Sequence, residues 1–355
     1  MKKILLSILY AIKRRLSATK VWIGLKLGFI RSVQVMPYKG FGNTHEIYFI
    51  GRVLRDRGIG ISAITDSKWK NFVKMYKRFA SWELPGLRVL ARFQEVEQLV
   101  TTDEEGYFEV RLKKDEGWKL THYWNQVELT LVDNPIKNTA LVRAHNPVFI
   151  PYIACDFGVI SDIDDTIVPT GATRLWEMVK TTFFGNAHTR LPFEGVAEFY
   201  QALHRGMDGL DSNPFFYVSS SPWNLYDFLM EFLEIHQIPK GPLMLRDLGL
   251  SREQLIAGSH WEHKLLQVEK IFELEKDLSF ILIGDSGQHD AEIYLQVIKD
   301  YPGRVKAVYI RSVSEKREEL MEKIAKEMLA LGVEMLLIHN TAQALSHARL
   351  NSWIR

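Results

Sequence analysis

The chain has 355 residues, enough for two domains that each bury a core of their own. With 46% hydrophobic and 25% charged residues it has the composition of an ordinary globular protein, which excludes general disorder. Its single cysteine, Cys155, excludes an intramolecular disulfide and a thiolate metal cluster, and fits a reducing compartment.

The net charge of +2 hides an asymmetry: Lys2, Lys3, Lys13, Arg14, Arg15, Lys20, Lys26, Arg31 and Lys39 all precede the first acid, Glu46. Apolar residues lie among these bases (Ile4, Leu5, Leu6, Ile8, Leu9, Ile12) and after them (Val21, Trp22, Ile23, Leu25). Residues 1–40 therefore read as a basic amphipathic segment that seeks an anionic membrane surface, with a plain solvated or disordered tail as the other reading. The stretch Ile4 to Ile12 is too short to span a bilayer, is followed by Lys13-Arg14-Arg15 and lacks a small-x-small cleavage site, which argues against export. The expected location is cytoplasmic and peripheral to a membrane.

Residues 41–150 favour short strands at His45 to Leu54, Leu87 to Phe93, Gly106 to Leu112 and Val127 to Val132, separated by turn-rich pieces such as 101–106. This predicts an all-β, sandwich-like domain. Ser67 to Trp82, rich in lysine and aromatics, reads as a helical or irregular insertion. Asn134-Pro135 and Asn146-Pro147 read as punctuation, and the domain boundary is placed near Pro151.

Residues 151–355 alternate apolar strand runs with helical periods, which predicts α/β architecture. The strands are Phe157 to Ser161, Phe215 to Val218, Leu243 to Leu245, Phe280 to Ile283, Val305 to Tyr309 and Val333 to Ile338. Helices are expected at Pro192 to Leu203, Pro222 to Ile235, His263 to Leu274, Asp290 to Asp300 and Glu315 to Leu331. Right-handed crossovers then require a doubly wound parallel sheet.

Four separated elements fall where one phosphoryl-transfer site needs them. Asp162-Ile163-Asp164-Asp165-Thr166 follows the first buried strand, so its acids stand at the carboxyl edge of the sheet. Asp162 suits a nucleophile, Asp164 an acid and base, and Thr166 a hydroxyl that holds the turn; a lone Asp-x-Asp could equally be an acidic surface turn. Ser219-Ser220-Ser221-Pro222 follows a strand, and places Ser219, with Ser220 beside it, around a phosphate; Ser221 reads as a helix N-cap before Pro222. Lys264, at a helix start facing the same edge, suits neutralising the nucleophile and the phosphoryl group. Asp285 and Asp290, on the turn Gly284 to Asp290, suit Mg²⁺, with Asp285 a direct ligand and Asp290 either a water-mediated ligand or a helix cap.

In this order the motifs resemble the haloacid-dehalogenase superfamily. The wording Ser161-Asp162-Ile163-Asp164-Asp165-Thr166-Ile167, Tyr217-Val218-Ser219-Ser220-Ser221-Pro222-Trp223 and Ile283-Gly284-Asp285-Ser286-Gly287-Gln288-His289-Asp290 is similar to the actin-patch-protein type of phosphatidate phosphatase, over about Tyr152 to Ser314. The resemblance implies a haloacid-dehalogenase-like doubly wound parallel sheet and Mg²⁺-dependent hydrolysis of phosphatidate to diacylglycerol. It also implies Asp162 as nucleophile, Asp164 as acid and base, Ser219 and Lys264 as phosphate contacts, and Asp162, Asp164 and Asp285 around the metal. Arg311 is followed by Ser312 where the family often has Arg-Asp, which bears on lipid specificity.

The intervals from Thr166 to Ser219 and from Ser221 to Lys264 leave no room for a large cap domain, so the site is expected to be open to bulky substrates. Trp176, Phe183 and Phe184 could guard its entrance or pack on the sheet. Arg246-Asp247, after a short strand, could meet the phosphate or glycerol, or form a local ion pair. His260 and His263 lack the companions of a zinc site, and Lys316-Arg317-Glu318-Glu319 reads as a solvated helix face. The partner expected is a lipid phosphate at a membrane surface, with no nucleic acid. Two other readings are a phosphatase for phosphoproteins or nucleic-acid ends, and a membrane-binding adaptor with a vestigial catalytic fold.

Overall fold

The structure, a computed structural model, describes residues 19, 21–56, 82–136, 140–151, 155–169, 191–210, 212–246 and 260–355. The chain divides into two compact units, one made of Met1–Gly60, Lys77–Tyr152 and Leu248–Gly258, the other of Ile61–Tyr76, Ile153–Asp247 and Ser259–Arg355. The expected segment Ser67 to Trp82 lies, except for Trp82, outside the described residues, as do the bases of residues 1–18 and Trp176, Phe183 and Phe184.

Among the described residues the first unit has eight strands: β1 (Val33–Pro37), β2 (Gly40–Gly42), β3 (Glu46–Arg55), β4 (Arg88–Phe93), β5 (Val96–Thr101), β6 (Tyr107–Lys113), β7 (Trp124–Leu131) and β8 (Arg143–Phe149). Hydrogen bonds join them in one sheet ordered β1-β3-β2-β8-β7-β4-β5, with β6 along the other edge of β3. In β6, Phe108, Val110 and Leu112 turn inward while Glu109, Arg111 and Lys113 face water, the alternation of a half-buried strand. Its inward face joins Val35, Phe49, Val53, Val89, Leu129 and Val148 in one core. Two features differ from the sequence reading. Residues 33–37, assigned to the basic N-terminal segment, form β1, and Asn146-Pro147 is not a turn but lies within β8, where Pro147 stands opposite Gln126 of β7.

The second unit carries β9 (Gly158–Ser161), α1 (Val196–Arg205), β10 (Phe215–Pro222), α2 (Tyr226–Ile235), β11 (Leu243–Arg246), α3 (His260–Leu274), β12 (Phe280–Asp285), α4 (Asp290–Asp300), β13 (Val305–Arg311), α5 (Glu318–Ala330), β14 (Glu334–Ile338) and α6 (Thr341–Leu350). The six strands among its described residues are all parallel, in the order β11-β10-β9-β12-β13-β14. Every residue of β9 and β12 is buried, as expected of central strands covered on both faces. Helix α1 buries Val196, Phe199, Tyr200 and Leu203, one stripe at helical spacing. The chain leaves β9 for β10 on one side and later returns to β12 on the other, so the crevice of this sheet opens beyond the carboxyl end of β9.

Strand β10 runs on to Pro222 and is followed by a short 3₁₀ turn, Trp223–Leu225, before α2. Ser221 is therefore a strand residue and caps no helix. Helix α1 begins at Val196 rather than Pro192, after Gly195 at a φ of 75°. Helix α5 follows a 3₁₀ turn over Glu315–Arg317. Helix α6 was not anticipated, because its sequence, Thr-Ala-Gln-Ala-Leu-Ser-His-Ala-Arg-Leu, carries no strong apolar stripe. Among the described residues no helix is long and apolar enough to cross a membrane.

Candidate active site at the carboxyl edge of the parallel sheet

Asp162 leaves the end of β9 with its N–H bonded to the carbonyl of Ile283 (2.9 Å), which pins it beside β12. The chain then turns sharply: Ile167 N–H bonds to Ile163 O (2.9 Å), Asp165 N–H bonds to Val168 O (2.9 Å), and Asp165 adopts a left-handed φ of 61°. Asp is among the few side chains that tolerate that conformation. Thr166 Oγ1 donates to Asp162 Oδ2 at 3.3 Å, so the turn's own hydroxyl steadies the first acid.

Around Asp162, which is 1% exposed, the structure gathers Lys264, Asp285 and Asp290. Lys264 Nζ lies 2.9 Å from Asp162 Oδ1 and 2.6 Å from Asp290 Oδ1. Asp290 Oδ2 accepts the N–H of Asp285 (3.1 Å), and Gly284 makes room for it, since a Cβ there would stand 2.5 Å from that of Asp290. Asp290 opens α4 without capping it, because His289 holds the cap position and no side chain bonds there. Asp285 Oδ1 receives the N–H groups of Gly287 (2.6 Å) and Gln288 (2.9 Å).

Asp164 is placed differently from the metal-ligand role expected of it. Its Oδ2 accepts Ser219 Oγ (2.8 Å) and Ser221 Oγ (2.7 Å), while Ser221 N–H donates to Ser219 Oγ (2.9 Å). The acids whose carboxylate oxygens lie within 4.8 Å of one another are Asp162, Asp285 and Asp290, and the side chain of Asp164 is not among them. Ser220 Oγ is buried without a hydrogen-bond partner. Arg246 ends β11 at the same edge of the sheet, opposite Pro222. Asp247 and the side chain of His260 lie outside the described residues, and His263 is not part of the acid cluster.

Electrostatics explain why this cluster asks for a cation. Burial lifts the Asp162 carboxyl well above its ordinary range; Lys264 pulls it down, and Asp290, Asp285 and Asp164 push it up again. Burial likewise lifts Asp285, helped by Asp290. Burial alone would lower Lys264, but Asp162, Asp290 and Asp285 outweigh it and hold the ammonium firmly charged. Three carboxyl groups face one ammonium, so ionising them all would leave negative charge uncompensated in a site where isolated charge is costly. Asp162 Oδ1 is buried and, although paired with Lys264, makes no aligned hydrogen bond. A hard divalent cation that takes oxygen ligands and keeps its waters fits these donors.

Three residues beside the site were given no catalytic or binding role by the sequence reading. Ser221 was lost to the helix-cap interpretation. Gln288 joins the two acidic turns, its Nε2 donating to Asp164 O (3.2 Å) and Asp285 Oδ2 (3.2 Å); only its place inside the last motif hinted at this. Arg311, 7% exposed at the end of β13, donates from Nε to Thr166 O (3.1 Å) and from Nη2 to Thr341 Oγ1 (3.2 Å), with its guanidinium 4.3 Å above the Phe193 ring. An arginine closing a buried apolar strand was its signal.

Buried acids, a lysine and paired hydroxyls at the edge of a parallel α/β sheet define a centre able to hold a cation and a phosphate ester together. Residues 157–312 match the family model described as "Phosphatidate phosphatase APP1, catalytic domain". The chain is 33% identical to Phosphatidate phosphatase APP1 of Saccharomyces cerevisiae over 164 residues, 46% of this chain and 27% of that protein. It is 30% identical to an uncharacterized protein of Schizosaccharomyces pombe over 160 residues, 44% of this chain and 25% of that protein. Residues 157–312 are thus similar to the catalytic domain of the APP1 type of phosphatidate phosphatase. The chain spans about a quarter of the length of these two relatives. One solved structure, Lactobacillus rhamnosus beta-glucuronidase, aligns at a TM-score of 0.24 and 9% identity, over 86% of this chain and 61% of that one, which carries no argument.

Proposed function

We propose that the chain is a Mg²⁺-dependent phosphatidate phosphatase with a haloacid-dehalogenase-type, largely uncapped catalytic domain, hydrolysing a lipid phosphomonoester to diacylglycerol and phosphate. The observation that carries this reading is the buried Asp162–Lys264 pair inside a cluster of three carboxylates, within the segment that matches the phosphatidate phosphatase family. Asp162 attacks phosphorus in line, and the bond to the glycerol oxygen breaks as Asp164 protonates that oxygen. Asp164 then takes a proton from water, whose oxygen attacks the aspartyl-phosphate and releases phosphate from Asp162. Ser219 and Ser220 supply hydroxyls to the phosphate, Ser219 by turning from Asp164, and Lys264 balances its negative charge. Asp162, Asp285 and Asp290 would hold Mg²⁺, which neutralises charge on the phosphoryl oxygens.

Asp162→Asn should lower Mg²⁺-dependent phosphate release from phosphatidate vesicles on the order of a thousandfold or more. Undiminished release by that variant would rule the mechanism out. Assayed beside phosphopeptides and 5′-phosphorylated oligonucleotides, the wild type should prefer the lipid; hydrolysis of the polymers alone would leave a phosphatase but remove the lipid assignment.

A further inference from the structure

Residues 21–31 belong to the first unit and are held to it by one face only. Residues 21–26 are helical. Val21, Leu25 and Trp82 pack against the core of the unit, and Ile30 is itself part of that core at 4% exposure. Gly24 lies so close to the Trp82 ring that no side chain fits between them, and Phe29 approaches the same ring at 6.3 Å between centroids. The opposite face is largely exposed, Trp22 at 59%, Ile23 at 40% and Leu27 at 63%, and Phe29 at its rim is 52% exposed. Large apolar residues stand singly on most protein surfaces; four of them between Trp22 and Phe29 make a ridge.

The charge of this ridge is of one sign. Lys26 is exposed, with its Nζ 4.8 Å above the Trp22 ring, and Arg31 is exposed, with its Nε bonded to Gly28 O (3.0 Å). Among the described residues no carboxylate pairs with either base, and no acid precedes Glu46 in the sequence. The core of a protein–protein interface is depleted in lysine, whereas a bilayer surface accepts this combination: apolar and aromatic side chains enter below the headgroups while bases stay level with the phosphates.

We propose that residues 21–31 form a wedge that docks the first unit on an anionic lipid bilayer, with Trp22, Ile23, Leu27 and Phe29 entering the interface and Lys26 and Arg31 meeting the headgroups. The sequence pattern put Val21 and Leu25 on the membrane face with Trp22 and Ile23; the fold takes the first two for its own core and adds Leu27 and Phe29 outside. The wedge draws on no residue of the acid cluster, so it stands or falls independently of the phosphatase reading.

The test is cosedimentation of the full chain with phosphatidylcholine vesicles and with vesicles containing phosphatidylglycerol, neither of which presents a phosphomonoester. Wild-type protein should prefer the anionic vesicles, and less so as salt is raised. Ile23→Glu with Leu27→Glu, both at exposed positions, should weaken that binding roughly tenfold or more without lowering the thermal midpoint. Lys26→Gln with Arg31→Gln should reduce the preference for anionic vesicles. Wild-type protein that ignores the anionic vesicles would overturn the wedge, as would undiminished binding by the Glu variant, which would assign attachment to the bases of residues 1–20. Self-association abolished by the Glu variant, without vesicle binding by the wild type, would also overturn it and make a second copy the occupant.

Discussion

Glu275 follows the last residue of α3 and is 5% exposed, with its Oε1 buried and without a hydrogen-bond partner. Burial lifts its carboxyl to about 8 against an ordinary value of 4.5, Arg304 pulling weakly the other way. The folded state therefore favours the protonated acid, and its stability is greatest below the unfolded value and falls as pH rises from about 4.5 towards 8. Glu275→Gln should match the wild type near pH 5 and exceed it at pH 8 by up to a few kcal/mol, measured by denaturant unfolding at both values. Equal stabilities at pH 8 would mean that this carboxyl ionises without penalty. The two serines on Asp164 also separate at this scale. Ser219→Ala should raise KM by removing a phosphate contact, whereas Ser221→Ala should lower kcat about tenfold with little change in KM, because Ser221 orients Asp164 without being needed to bind phosphate. Steady-state kinetics on phosphatidate distinguish the two.

At the scale of elements, the turn that carries Asp164 is braced from outside its own strand. Arg311 ties the Thr166 carbonyl at the end of that turn to β13 and to Thr341 at the start of α6, and Thr341 Oγ1 in turn bonds to Glu194 O (2.7 Å). Arg311→Met should leave the carbonyl unsatisfied, cost about 1–3 kcal/mol of stability and lower kcat. Arg311→Lys should not restore activity, because an ammonium cannot reproduce the two-pronged donor geometry of a guanidinium. The same end of the fold depends on α6, whose start is fixed by a reciprocal cap between Asn340 and Gln343. Asn340→Ala should cost about 1 kcal/mol in unfolding experiments. Half of that capping box is visible as Asn340 three residues before Gln343, yet without an apolar stripe behind it the pattern did not announce a helix.

For the whole molecule, a divalent cation held by the acid cluster would add to stability. Binding at a hundredfold excess over Kd would add about 2.7 kcal/mol. The gain in thermal midpoint with Mg²⁺ should be larger near pH 7.5 than near pH 5, because burial raises Asp162 and Asp285 and at low pH protons compete for their oxygens. Calorimetry with Mg²⁺ and with EDTA measures this. A midpoint indifferent to Mg²⁺ at both pH values would remove the cation from the site.

The alternation of apolar runs and helical periods after Pro151 was enough to locate six parallel strands and the acids and serine at their carboxyl ends, because a residue at the end of a buried strand must emerge at the sheet edge, whereas Lys264 arrives there on α3. In the first unit four strands were legible, but β1 was hidden among bases, β2 is three residues long, β5 is never fully buried and β8 contains Pro147. Partnership was beyond local pattern. Ser219 and Ser221 meet Asp164 across 55 and 57 residues, Gln288 reaches it across 124 and Arg311 reaches Thr166 across 145. Sequence alone determined which chemistry arrives at the edge of the sheet, since that follows from short-range periodicity. Only the tertiary structure decided that Asp164 turns to the serines while Asp162, Asp285 and Asp290 converge, since which oxygen meets which donor is set by strand order and register between distant segments.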